Sequence, residues 1–237
     1  MSFGCGGDLF SRSVATVQVF ATRAGTPGAD QQFPDYGGKG SIRVFMNDMG
    51  WEIALSEVYV TTAEVELIAC NDTTTAIEMF WGPCPENFIV GDDRDTVPLG
   101  AVSVDEGSYC GLDVVFAPYL IVPEAEKHLS PDNPEVEGHT IFIRGTARRG
   151  MGDELIEVPF EIRSMAEVTA ELDISEVENG APFRLKDENF PRNLTVLKTY
   201  DSFFSGVDFL TAGQQELEAA VLSALEFDTR AISGSSV

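Results

Sequence analysis

Between Val168 and Ser175 apolar and polar side chains change places at every residue: Val168, Ala170, Leu172 and Ile174 against Thr169, Glu171, Asp173 and Ser175. Successive side chains of a strand point to opposite faces, so this segment can bury one face and wet the other only as a β-strand. The same period recurs upstream. Ser41 to Met46, Ala76 to Trp81, Val97 to Val104 and Tyr109 to Ala117 read as strands, the last with Leu112, Val114 and Phe116 on the parity of Cys110. Ala63, Val65 and Leu67 alternate with Glu64 and Glu66 in the same way. Trp51, Ile53 and Leu55 occupy one parity and Val58 and Val60 the other. A change of parity inside one apolar stretch turns the inward face over, which predicts a bulge or tight corner at Ser56-Glu57. His139 to Arg149 and Leu155 to Arg163 form a predicted hairpin across Arg149-Gly150-Met151-Gly152-Asp153, and Leu194 to Lys198 a last strand.

Many short strands with Gly, Pro and Asp punctuation specify an all-β fold, an antiparallel β-sandwich of about eight to ten strands. The end of the chain changes character. Thr211-Ala-Gly-Gln214 has the form of a capping box and opens a predicted short C-terminal helix through Phe227, with Leu217, Val221, Ala224 and Leu225 on one face. The domain plan is therefore a Gly/Pro-rich leader over residues 1–39, a sandwich over 40–210, and a helix with a polar tail over 211–237 packed on it. The leader holds one possible strand, Val14 to Phe20. That strand either pairs within its own chain or completes the sheet edge of a neighbouring molecule by β-augmentation. In the assembly reading Val14, Val17, Val19 and Phe20 carry the contact, and the partner is a second copy of the chain or another envelope protein.

Charge narrows the function. Asp and Glu number 39 against 15 Lys and Arg, a net charge of -24. Such a surface repels nucleic acid and anionic lipid at long range. With 43% hydrophobic residues and a mean hydropathy near zero, the chain still has the makings of a core, unlike acidic disordered segments. No apolar run is long enough to span a bilayer, so no transmembrane segment is expected. No signal peptide is visible at Met1, which leaves open a mature form whose export signal has been removed. The cysteines Cys5, Cys70, Cys84 and Cys110 include no CxxC pair, which argues against zinc and thioredoxin-like chemistry. In an acidic, lysine-poor β protein they fit structural disulfides and an extracytoplasmic place. Cys70 and Cys110, at or beside strands of the same sandwich, are the expected pair, with Cys84 between Pro83 and Pro85 as the competitor. Cys5, in Phe3-Gly4-Cys5-Gly6-Gly7-Asp8, reads either as a lipid-anchored cysteine or as an ordinary residue of the leader.

Catalytic signals are weak. His128 lies in a polar stretch, and His139 shares a parity with Ile141 and Ile143 at the rim of a core. There is no GxSxG elbow, HExxH helix or SxxK motif. The glycine clusters at 4–7 and 37–40 form no nucleotide-binding pattern, so no cofactor is expected. The chain reads as non-enzymatic, with a carboxylate-dependent hydrolase as the remote alternative, since its carboxylates are too numerous to select a pair. For metal ions, Gly91-Asp92-Asp93-Arg94-Asp95-Thr96 offers Asp92, Asp93 and Asp95 as calcium ligands, with Arg94 as an internal counter-charge. Copper would favour sulfur or imidazole, and Met46 and Met49 are the suggestive residues.

The stretch from Trp51 to Leu67, Cys70 after it, and Gly107-Ser-Tyr-Cys-Gly-Leu-Asp-Val-Val-Phe116 later are similar in outline to the periplasmic partner proteins of the methanobactin-associated copper system. The resemblance covers residues 40–118 and implies a cell-envelope β-sandwich with cysteines. Copper sites of that family use His and a modified Trp. Here Trp51 and Trp81 are present, but no His precedes His128, so the resemblance speaks for fold and compartment more than for the metal. The resulting expectation is an extracytoplasmic binding or structural subunit, with periplasmic copper or calcium handling as the alternative.

Overall fold

A computed structural model describes residues 14–121, 129–150, 154–186 and 191–234. Cys5, His128 and the Met151-Gly152-Asp153 part of the expected turn lie outside the described residues. Two sheets face each other. The smaller has five strands in the order β14 (Arg230–Ser233), β13 (Arg192–Thr199), β1 (Val14–Ala24), β7 (Val97–Asp105) and β5 (Glu78–Met79). The larger runs β10 (Ile156–Ser164), β9 (Ile141–Arg149), β3 (Glu52–Ala69), β8 (Gly107–Phe116) and β11 (Val168–Asp173). Four short strands complete it: β12 (Phe183–Leu185) on β8, and β2 (Arg43–Met46), β4 (Thr74–Ala76) and β6 (Cys84–Asn87) on β3.

The expected alternations place the core. Ile53, Leu55, Val58, Val60, Val65 and Leu67 of β3 are buried between the sheets, as are Leu112, Val114 and Phe116 of β8. The pairing of β3 with β9 slips between Leu55 and Glu57, so the parity change is a β-bulge at the expected corner. β9 and β10 form the expected antiparallel hairpin, in register from Arg149 opposite Ile156 to Ile141 opposite Ser164. The one α-helix among the described residues, α1 (Gln214–Phe227), buries Leu217, Val221, Ala224 and Leu225 against the sandwich.

Four expectations need correction. The leader strand is an internal strand: β1 pairs in parallel with β13 on one edge and antiparallel with β7 on the other. Both of its hydrogen-bonding edges are taken, so it cannot complete another molecule's sheet. Val17 and Val19 are fully buried in this chain's own core, Phe20 is half-buried, and only Val14 is exposed. The sandwich is accordingly not wholly antiparallel, because β1 and β13 run the same way. Thr211 does not cap α1: its hydroxyl donates to the Asp208 carbonyl, and the N-cap is Gly213. Residues 76–81 form no single strand, only the ends of β4 and β5 on different sheets.

Candidate functional site

Inward parity continues past the apolar residues on several strands, and there it carries charge. On β1 the buried face holds Ala15, Val17, Val19 and Ala21, then Arg23. On β13 it holds Leu194, Val196 and then Lys198. Parallel register sets Arg23 directly beside Lys198. Across the sandwich, Glu86 of β6 sits opposite Val60 of β3 and shares the inward parity of Cys84 and Phe88. Its carboxylate lies between the two cations, with Oε2 2.6 Å from Lys198 Nζ and Oε1 3.6 Å from Arg23 Nη1. All three side chains are at most 2% exposed. Lys198 Nζ also lies 6.0 Å from the centroids of both the Phe88 and Phe116 rings, so aromatic faces supply part of its surroundings. The trio carries two positive charges against one negative. Arg23 Nε and Nη2 have no hydrogen-bond acceptor.

A fourth buried ion explains the acidic loop. Arg43 of β2 is fully buried and donates to the carbonyls of Gly37, Gly38, Phe88 and Gly91. Its Nε stands 3.6 Å from Asp93 Oδ1. Oxygens of the kind that ligate calcium thus converge on a guanidinium. Asp93 is further tied by its other oxygen, which accepts from Tyr200 Oη at 2.7 Å. Burial raises the Asp93 carboxyl's pKa, opposed by that hydrogen bond and by the charge of Arg43. Burial first, then the bond and charge of Asp93, push the Tyr200 phenol up, so it stays a donor.

The other two candidate ligands point elsewhere. Asp92 Oδ1 accepts from Lys39 N at 2.7 Å, and Asp95 Oδ2 from Asp92 N at 2.8 Å. The sequence proximity of Asp92, Asp93 and Asp95 does not become a shared site: each closes a different loop contact. Among the described residues no group of three or more His, Cys, Asp or Glu has the geometry to hold a metal ion. Met46 and Met49 are both exposed, the first at the end of β2 and the second in the turn to β3. Trp51 is fully buried, donates from Nε1 to Asp208 Oδ1 at 3.2 Å and lies under Arg149, so it serves packing. His139 is half-buried, its Nδ1 3.1 Å from the Glu137 carbonyl.

Cys70 and Cys110 form the expected disulfide, with Cα atoms 4.8 Å apart, Cys70 directly after the end of β3 and Cys110 within β8. Cys84 is a buried free thiol. Burial and the neighbouring Glu86 carboxylate push its pKa up to about 12, against the pull of Lys198, so it remains protonated and a poor nucleophile.

Arg23 and Glu86 of the trio border a cleft of about 340 Å³ beside β6. Arg23, Cys84 and Glu86 form its inner wall, Val90, Val97 and Leu129 supply apolar surface, and Tyr59, Asp95 and Asp132 contribute polar groups. A side chain at Gly91 would run into Arg23 Nη2, so glycine there lets the loop pass close to one edge of the guanidinium. Arg23, Glu86 and Lys198 do not stand out as a site in the sequence. Their signal was present as charged residues at the inward parity of apolar strands.

These features define an all-β sandwich with a charged cleft beside one short strand of its larger sheet. No protein-family model and no curated protein matches the sequence. Among solved structures the chain is similar to MbnP from Methylosinus trichosporium, at 10% identity and a TM-score of 0.45, over 93% of this chain and 99% of that one.

Proposed function

We propose that this chain is a non-enzymatic binding protein that works outside the cytoplasm and takes a small ligand in the cleft beside β6. The observation that carries the reading is the cleft wall, where Arg23 and Glu86 are each 2% exposed yet Arg23 keeps two nitrogens without an acceptor. Folding gains little from such an arrangement. Buried ion clusters can often be replaced by apolar side chains without loss of stability, so their presence in an otherwise well-packed sandwich favours a recognition role. The Cys70–Cys110 disulfide supports an oxidising, extracytoplasmic compartment. The protonated Cys84 at the cleft wall supports binding over nucleophilic catalysis.

The test is native mass spectrometry of the protein purified from its own source, beside a Val90→Trp variant. Val90 is 49% exposed on the cleft wall, so an indole there would occupy the opening without entering the core. The expected outcome is a small-molecule adduct on the wild-type chain that the variant lacks. Identical spectra from two folded proteins, with no adduct on either, would overturn the binding reading.

A further inference from the structure

We infer that the ligand of the cleft is a small zwitterion carrying a carboxylate next to a cationic nitrogen, the chemistry of a free α-amino acid. This rests on the binding reading above and adds the ligand class. The inner wall asks for an acceptor. Arg23 and Lys198 face a single carboxylate, Glu86, and the next buried acid, Asp93, is already engaged by Arg43 and Tyr200. Arg23 Nε and Nη2 have no hydrogen-bond partner, and both Glu86 oxygens and Lys198 Nζ are held by ion pairing alone, so the cluster has room for an acceptor beside a donor. Leaving donors of a buried charge unpaired is costly, and a planar guanidinium is matched best by a carboxylate, which can accept from two nitrogens at once.

The remaining lining selects against a simple anion. Asp95 and Asp132 belong to the same cleft, and the molecule as a whole carries a net charge of -24. That field repels acetate or phosphate before either could reach Arg23. It is indifferent to a molecule of zero net charge. A cationic nitrogen beside the ligand carboxylate would meet the carboxylates of Asp95 or Asp132; burial first, then the charges of Asp132 and Glu57, raises the pKa of the Tyr59 phenol beside them. Val90, Val97, Leu129 and the Tyr59 ring provide the surface for an apolar side chain. A volume of about 340 Å³ admits a single amino acid and not a long peptide.

The experiment is isothermal calorimetry on the full chain with L-leucine, glycine, sodium acetate and methylammonium chloride as probes at matched ionic strength. Saturable binding is expected for an amino acid, and none for acetate or methylammonium at the same concentration. Asp132→Asn should weaken that binding by about fivefold, and Val90→Trp should abolish it. Arg23→Met should reduce it by about a hundredfold; because this change strips a charge from the buried trio, the Asp132 and Val90 variants carry the test on their own. Acetate binding as tightly as an amino acid would overturn the inference, and so would an amino-acid affinity unchanged in both Asp132→Asn and Val90→Trp. If neither amino acid binds but native mass spectrometry still detects an adduct that Val90→Trp removes, the zwitterion falls and the binding reading stands. If no adduct is detected either, both fall.

Discussion

Along one face of β1 the chain passes from Ala15, Val17, Val19 and Ala21 to Arg23, and the two stretches are buried by different physics. The first faces an apolar interior shared with Leu67, Leu112 and Val114. Each side chain there contributes through the area it removes from water, and a change of volume at one position is felt locally. The second faces Lys198 and Glu86. Its members do not contribute singly, because each offsets the desolvation of the others. The apolar half should therefore tolerate substitutions one at a time, and the charged half only in concert.

Breaking the charged half in one place is the largest test of this contrast. Glu86→Leu should cost about 5 kcal/mol, since it abandons two buried cations at once. The triple change Arg23→Met, Glu86→Leu and Lys198→Met should return stability to within about 2 kcal/mol of the starting protein, or above it. Urea unfolding of the three proteins measures both. A single substitution no worse than the triple would mean that the charges are not coupled, and the contrast between the halves would disappear.

On the apolar side the corresponding strong constraint is covalent. Cys70 and Cys110 close a loop with a sequence separation of 40. The chain-entropy model gives such a closure about 4 kcal/mol. Replacing both cysteines by serine should lower the unfolding midpoint accordingly. The native cleft should be unaffected, so ligand-induced stabilisation should persist in the serine variant wherever it remains folded. Loss of that stabilisation with the fold retained would tie the two regions together.

The same contrast separates what could be read in the sequence from what could not. Alternation exposed the strands whose two faces differ, and the parity change before Val58 located the bulge between Leu55 and Glu57. Cys70 and Cys110 were recognisable because each stands next to a clear strand. The place of β1 was not, because its partner β13 lies some 175 positions away (Val17 opposite Arg192) and alternation says nothing about which strands meet. Arg43 hid the role of the acidic loop for a related reason. Asp92, Asp93 and Asp95 are adjacent in sequence, but the cation that organises Asp93 comes from β2. β14 was not read as a strand, being only four residues long and half exposed.

A polar side chain need not behave as the charged cluster does, and Asn47 shows the difference. It is 9% exposed, and its amide donates to the carbonyls of Phe204 and Val207 while its oxygen accepts from the amides of Met49 and Trp51. Both ends of the amide are satisfied within the chain, so its effect is that of ordinary buried hydrogen bonds. Asn47→Ala should cost about 2 kcal/mol, less than half the effect of Glu86→Leu, by equilibrium unfolding. A cost equal to that of Glu86→Leu would show that unmet polar groups, and not charge, set the scale inside this sandwich.

The smallest effect tests charge at the surface, where water should quench what the interior amplifies. On the outer side of the larger sheet, Asp113 of β8 stands directly opposite Glu66 of β3 on one side and Glu171 of β11 on the other. Burial, then Glu171 and Glu66, raise the pKa of Asp113. A carboxyl whose folded pKa is raised binds its proton more tightly in the native state than in the unfolded one. Stability therefore falls as pH rises from the unfolded value of about 3.9 through the higher folded value, and the whole penalty is present above that. Asp113→Asn should accordingly stabilise the protein by about 0.5 kcal/mol at neutral pH, and the gain should vanish below about pH 3. Urea unfolding at both pH values measures the pair. A gain of equal size at both would assign the effect to the side chain's shape, whereas a gain that shrinks with added salt at neutral pH would confirm solvent-screened repulsion, the opposite regime from Glu86.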